Sequence, residues 1–223
     1  TATDVTSLPD YLGPYRLARF IRSGNACQLW EATKGDGSGR CVLKVLRQNH
    51  WGNRELTGQL KHEYEVGHAL SHPNVLQVLD FNTEGKIAYV VLELFPSLNL
   101  KQVLRDDPKR VLREFPKIIE QSALGLQHLH EKRWVHCDVK PDNFLLNDEG
   151  HLKLIDFSIA QRASRGLLAK LFGSRPKIQG TRSYMAPEQI RGRSVDARSD
   201  VYSFGCVMYE LLTNKLPYTG ANP

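Results

Sequence analysis

No stretch of the 223-residue chain stays apolar for the ~20 positions that a bilayer-crossing helix requires, so no part of it reads as a membrane span. The polar opening, Thr1 to Asp10, carries no basic-then-apolar secretion signal, and its first residue is Thr rather than Met, which reads as a chain beginning inside a longer protein. Cysteine is scarce and scattered. Cys27, Cys41, Cys137 and Cys206 never fall at CxxC spacing, which argues against a zinc site or a dithiol redox site. Isolated thiols suit a reducing, cytoplasmic setting better than a disulfide framework. The eight histidines show no metal-ligand spacing, and neither an internal repeat nor a low-complexity tract is present. Charge is not strongly one-sided either: 30 basic against 24 acidic residues give +6. Such a balance tolerates acidic peptides, phosphates or nucleic acid and selects none of them.

What is present is ordinary globular material, 41% hydrophobic and 24% charged. A chain of this length buries roughly 70–75% of its unfolded surface, enough for one large domain or two joined lobes. After a Pro/Gly-bearing lead, Leu8 to Pro14, the segment Tyr15–Leu46 reads as three strands. Their turns fall around Ser23–Asn25 and at Lys34-Gly35-Asp36-Gly37-Ser38-Gly39. A helix is predicted from about Glu55 to Leu70, stopped by Ser71-His72-Pro73-Asn74. Val75–Phe81 and Ile87–Leu94 read as two more strands about the Thr83-Glu84-Gly85 turn.

Beyond Phe95-Pro96-Ser97 the period changes from two to 3.6. Phe115, Ile118, Ile119, Ser122, Leu126 and Leu129 form one helical stripe. Short apolar strands are predicted at Phe144–Leu146 and Leu152–Ile155. A last helix, about Asp200 to Thr213, is expected to bury Val201, Phe204, Val207, Met208 and Leu211. The order is strand-rich, then helix-rich, with a joint at Phe95–Ser97 and a cleft there as the natural ligand site.

The residues that carry chemistry begin with His136-Cys137-Asp138-Val139-Lys140-Pro141-Asp142-Asn143. This octapeptide resembles the protein-kinase catalytic loop H-R-D-x-x-x-x-N. Ile155-Asp156-Phe157-Ser158 resembles the D-F-G motif: Asp156 follows an apolar strand thirteen positions after Asn143. Cys41-Val42-Leu43-Lys44 resembles the V-A-I-K strand. Lys44 needs a carboxylate there; the resemblance points to Glu63 on the following helix, at the family's usual spacing before Leu70 and His72-Pro73-Asn74, with Glu65 as runner-up although it points in a different direction. Gly180-Thr181-Arg182-Ser183-Tyr184-Met185-Ala186-Pro187-Glu188 resembles the substrate-docking segment ending in A-P-E. Asp200-Val201-Tyr202-Ser203-Phe204-Gly205 resembles the helix whose aspartate braces the catalytic loop.

The resemblance, covering about Leu17 to Pro217, implies an α+β bilobal kinase fold: a lead (1–14), an N-lobe (15–94) with a five-stranded antiparallel sheet and one helix, and a mainly helical C-lobe (95–223). It implies transfer of the ATP γ-phosphate to protein hydroxyls. Lys140 with Gly180-Thr181 looks like the serine/threonine branch. Asp138 would orient the hydroxyl, Lys140 would steady the phosphoryl group, and Lys44 with Glu63 would hold the other phosphates. ATP would sit under Gly24, between Leu29 and Val42 above and Leu145 below, its adenine on the Glu93–Phe95 backbone and Leu92 behind it. Mg²⁺ would be held by Asp156 and Asn143, whose oxygens suit a hard cation. Partners would be protein substrates, with no nucleic acid and no membrane within the segment.

Departures from the pattern matter as much. Only Gly24 of the phosphate-covering glycines survives, with Arg22 and Cys27 at the outer positions, and Ser158 replaces the D-F-G glycine. A pseudokinase, a scaffold of the same fold with little catalysis, is therefore the competing reading. A small-molecule phosphotransferase fits the Gly180–Glu188 segment less well. Cys137 stands where most members have an Arg that a phosphorylated activation segment neutralises, so activity is expected not to need phosphorylation of Ser158, Ser164 or Ser174. That segment is basic, through Arg162, Arg165, Lys170, Arg175 and Lys177, which reads either as a solvated loop or, more specifically, as a dock for acidic or phosphorylated substrates. His136 is implied to pack under Phe157 rather than to act as acid or base, while His128 and His130 read as ordinary helix residues. Members of the family continue through further helices that supply an Arg to the A-P-E glutamate. Glu188 is thus expected to lack its partner, in a C-lobe that is incomplete, less stable and apolar around the last helix.

Overall fold

The computed structural model describes residues 8–37, 39–163 and 180–218. The chain divides into two compact units, one of residues 1–69 and 76–95, the other of residues 70–75 and 96–223.

In the first unit, strands form where β-branched and aromatic residues alternate. They are β1 (Tyr11–Leu12), β2 (Tyr15–Ser23), β3 (Cys27–Lys34), β4 (Arg40–Leu46), β5 (Val78–Glu84) and β6 (Ile87–Glu93). They make one antiparallel sheet in the order β1-β2-β3-β4-β6-β5. The sheet has six strands where five were expected. The extra one, β1, folds back on β2 through Gly13, whose φ is +53°, and it places Leu12 fully in the core. Two residues are too few to show a period in sequence. Helix α1 (Arg54–Gly67) starts at Asn53, whose side chain accepts from Glu55 N and Leu56 N, and its buried residues are Leu60, Glu63, Val66 and Gly67.

The second unit contains β7 (Leu98–Asn99), α2 (Leu100–Asp106), α3 (Pro108–Glu131), β8 (Trp134–Val135), β9 (Phe144–Leu146), β10 (Leu152–Leu154), β11 (Gln161–Arg162), α4 (Pro187–Ile190) and α5 (Ala197–Thr213). Asn99 caps α2 through a box with Gln102, and Asp107 with Pro108 opens α3. The α3 stripe is as the period predicts: Ile118, Ser122, Leu126 and Leu129 are buried, Phe115 and Ile119 half-buried.

Residues 70–75 precede β5 in sequence but pack with α3 and β10. Asn74 Nδ2 donates to Gln121 Oε1 (3.0 Å) and to Leu152 O (2.9 Å), and Leu154 N donates to Asn74 O. Gly125 on α3 allows this approach, since a Cβ there would lie 2.7 Å from Asn74 O. This use of Asn74 and Val75 is why the strand starts at Val78 rather than at Val75.

On α5 one expectation fails. Val201 is 61% exposed, and the buried face is Ser199, Asp200, Ser203, Cys206, Val207, Glu210 and Leu211. A hydropathy reading assigns the inward face to apolar side chains, whereas here bonded polar groups occupy much of it.

Candidate active site

Successive residues of a strand face opposite ways. On β4, Cys41, Leu43 and Val45 join Leu12, Ala32, Tyr89 and Val91 in a buried cluster. Val42 and Lys44 therefore belong to the other face, where Leu29 stands opposite Lys44 and Leu92 opposite Val42. On that face Lys44 Nζ donates to Glu63 Oε2 at 2.7 Å, with both side chains largely buried. Glu65 lies exposed beside Lys61 instead, 3.8 Å away. Gly24 sits in the β2–β3 turn and donates its N–H to Cys27 O, with exposed Arg22 and half-buried Cys27 on either side. Glu93 N donates to Gln77 O, and Glu93 Oε1 accepts from Gln77 N, so that amide is already committed. Phe95 ends this unit half-buried.

In the second unit the loop after β8 turns through Cys137, at φ +68°. A β-carbon-bearing residue in this left-handed region costs of order 1–3 kcal/mol and persists only where neighbours hold it. Here they do. Asp200 accepts from His136 N (2.7 Å) and Cys137 N (2.9 Å), and Gln189 Nε2 donates to Cys137 O (2.9 Å). The Cys137 side chain is buried against Val135 and Val195, and burial, then the Asp200 carboxylate, push its thiol well above the ordinary range. The thiol is therefore a packing group rather than a nucleophile.

The bracing places Asp138 with both carboxylate oxygens engaged. Oδ1 accepts from Thr181 N (2.9 Å), and Oδ2 from Lys140 Nζ (2.6 Å) and Asn143 Nδ2 (3.2 Å). Lys140 Nζ also donates to Thr181 Oγ1 at 2.9 Å. Asn143 Nδ2 donates further to Asp138 O, and Asn143 O accepts from Ile155 N. That last bond ties the loop to Asp156, itself left-handed at φ +67°. Ser158 N reaches Asp156 Oδ1 at 3.4 Å. Leu145 lies half-buried at the middle of β9, opposite Lys153 and Asn99. His136 is fully buried, set edge-on to Phe157 with Nε2 3.0 Å from Ile155 O, which is a packing role.

The first unit thus joins Lys44 with Glu63, and the second joins Asp138, Lys140, Asn143 and Thr181, with Asp156 one residue beyond. Among the described residues no group of three or more His, Cys, Asp or Glu side chains forms a metal cluster. Glu188 accepts a hydrogen bond from Ser199 Oγ, close to it at the start of α5. Arg162 stacks over Trp134 at 3.9 Å and donates to Lys132 O. Arg165, Lys170, Arg175, Lys177, Ser164 and Ser174 lie outside the described residues.

Two contributors went unrecognised in the sequence, and a third, Thr181, was named there only as part of the docking segment and the serine/threonine pattern. His130 is bonded to Asp200 Oδ2 at 2.8 Å, Gln189 holds Cys137, and Thr181 is a direct ligand of Asp138. The signal for the last was Gly180. Its φ is +119°, and a Cβ there would lie 2.9 Å from Cys137 O and 3.4 Å from Asp138 Oδ1, a close approach that only glycine permits.

No helix among the described residues is long and apolar enough to cross a membrane. Residues 15–223 match the family described as protein kinase domain. The chain is 35% identical over 213 residues to the serine/threonine-protein kinase PknA of Mycobacterium tuberculosis, covering 93% of the chain and 48% of that protein. It is 29% identical to the serine/threonine-protein kinase PrkC of Bacillus subtilis, covering 93% and 32%. To the probable serine/threonine-protein kinase PknB of Corynebacterium glutamicum it is 32% identical, covering 94% and 33%. The chain therefore spans between 32% and 48% of the length of these curated relatives. With the match running over nearly all of its length, the chain belongs to the protein kinase family.

Proposed function

We propose that this chain transfers the γ-phosphate of ATP to serine and threonine hydroxyls of protein substrates. The observation that carries the reading is the Asp138 carboxylate, fixed at once by Lys140, Asn143 and the Thr181 amide. A protein hydroxyl would give its proton to Asp138 as its oxygen bonds to the γ-phosphorus and the bond to the bridging oxygen of ADP breaks. Such positioning of a base contributes roughly 10²–10⁴ in rate. Lys140, held between Asp138 and Thr181, would neutralise charge developing on the transferring group. The Lys140–Thr181 contact supports the serine/threonine branch, because it ties the docking segment to the catalytic loop.

From the first unit, Lys44, aligned by Glu63, would bind the remaining phosphates, with Gly24 covering them and Leu29, Val42 and Leu92 supplying apolar surface. A base edge would use backbone groups of Glu93–Phe95 other than the Glu93 amide. From the second unit, Leu145 would add apolar surface. Mg²⁺ fits the donor set: Asn143 spends its Nδ2 on Asp138, leaving Oδ1 as a hard oxygen, and Asp156 brings a carboxylate at a turn. When bound, the metal would supply charge neutralisation at the phosphates.

Cys137 in place of the usual Arg makes this a kinase whose loop is not built to answer a phosphate. Its slot is filled by a buried thiol and its backbone is held by Asp200 and Gln189. Phosphatase treatment should leave activity within about twofold. Acidic or phosphorylated flanks on the substrate suit the exposed Arg182, Arg191 and Arg193 of the docking region. A cytoplasmic setting suits four thiols without a disulfide.

The test is Mg²⁺-dependent transfer of labelled γ-phosphate to the protein itself and to a basic protein, with Asp138→Asn as control. Phosphoserine or phosphothreonine lost in the control supports catalysis. Silence from this chain and from a longer form alike would make it a pseudokinase.

A further inference from the structure

The docking segment is held at three places. Its start is fixed by Thr181 on Asp138 and Lys140. Its end is fixed by Gln189, which donates to Cys137 O and accepts from Ala186 N. Between them, Tyr184 is buried and donates its hydroxyl to Glu210 Oε2 at 2.5 Å. The first and last anchors run to the catalytic loop. The middle one runs to a different place.

Glu210 projects from α5 with a side chain only 3% exposed, and its other oxygen, Oε1, accepts from Lys101 Nζ of α2. The two carboxylate oxygens are thus divided between one phenol and one ammonium. Lys101 is itself half exposed, on a helix that contributes no residue to the site described above. A buried carboxylate that loses its cation partner loses what fixes its position, and a charge-assisted bond such as the one Tyr184 donates to it depends on that position.

We propose that Lys101 is a positioning residue for substrate docking: by fixing the Glu210 carboxylate it holds Tyr184, and with it the middle of the Gly180–Glu188 segment, in the geometry that receives the protein substrate. This rests on the kinase reading for its catalytic consequence, but not for its structural one. Lys101 touches no reacting group, so its loss should act on the protein substrate and leave the nucleotide alone.

Two measurements separate these consequences. Hydrogen exchange at the amides of residues 184–189, without nucleotide, should accelerate about tenfold or more in Lys101→Met and stay near wild type in Lys101→Arg. In transfer assays, Lys101→Met should raise KM for a protein substrate about five- to twentyfold, with KM for ATP and kcat at saturating substrate within about twofold. Tyr184→Phe should reproduce the effect, and the double variant should be no worse than the more severe single one. Exchange and KM both unchanged in Lys101→Met would overturn the proposal, as would additive effects in the double variant. A uniform fall in kcat with both KM values raised would also overturn it, by marking a merely structural role. Should the wild type transfer no phosphate, the kinase reading fails, and the exchange experiment still decides the positioning claim.

Discussion

Asp200→Asn tests the bracing of the catalytic loop most directly. Asp200 is 1% exposed and accepts from three donors, His136 N, Cys137 N and His130 Nε2, at 2.7, 2.9 and 2.8 Å. Asparagine has the same shape, but one acceptor oxygen becomes an NH₂ donor. Whichever way the amide turns, one backbone N–H then faces a donor. Losing a bond to a buried ion is worth about 1.5–3 kcal/mol, and leaving an N–H unsatisfied adds about 1–3 kcal/mol. A net cost of about 3–5 kcal/mol follows, the range found on breaking buried ionic networks. For a chain of this size each kcal/mol lowers Tm by about 2–4 °C, so a fall of about 6–20 °C is expected. The same change releases Cys137 from its left-handed turn. Misplacing Asp138 by about 1 Å should lower kcat about 10²-fold, with little change in KM for ATP. Melting curves and initial rates are the assays, with Asp196→Asn as comparison, since Asp196 serves a partly exposed cap. A Tm within 2 °C of wild type together with kcat within twofold would refute the bracing argument.

Three further expectations follow from the geometry. Gly180→Ala would force a β-carbon against Cys137 O and Asp138 Oδ1 at φ +119°, so kcat should fall about 10²-fold by steady-state kinetics while ATP affinity, read by titration, stays within about threefold. In a double-mutant cycle, Lys44→Met and Glu63→Gln should each raise KM for ATP about tenfold or more, and the pair should be no worse than Lys44→Met alone; additive losses would deny the ion pair. Finally, burial, and then the neighbouring His128, lower the His72 pKa, and Asn74 N donates to His72 Nδ1, a bond that the protonated ring cannot accept. A depressed imidazole pKa gives stability that is complete above about 6.5 and is lost as pH falls toward and through the folded value. Urea midpoints between pH 7.5 and 5 should therefore fall, and less steeply in His128→Phe; equal slopes would rule out the pair as the cause.

The strand-then-helix order, the α3 stripe and the residues of the catalytic loop could all be read from sequence, because each rests on a local period or a contiguous motif. Glu63 could be chosen over Glu65 from the spacing that the family resemblance supplies, and the structure pairs Glu63 with Lys44 and Glu65 with Lys61. Other features could not be read, for one physical reason: their information is polar and non-local. Gln189, His130 and Glu210 look like surface residues to any hydropathy scale, yet each is held inward by a partner dozens of residues away in sequence. Val201 shows the converse, an apolar residue displaced to the surface because α5 turns Asp200 and Glu210 inward. The bond that Glu188 accepts from Ser199 belongs to the same polar class, invisible to a search for an arginine partner.

The six residues 70–75 have a consequence for synthesis. On the ribosome, Asn74 emerges 78 residues before Leu152, the carbonyl that its amide will meet. At about 5–20 residues per second that interval is roughly 4–16 s, long compared with the microseconds in which hairpins form. The sheet of the first unit can close during the wait, but the segment between α1 and β5 cannot find its partners until β10 has been made. A stall or truncation before Leu152 should therefore leave Asn74 and His72 protease-accessible beside an already protected sheet.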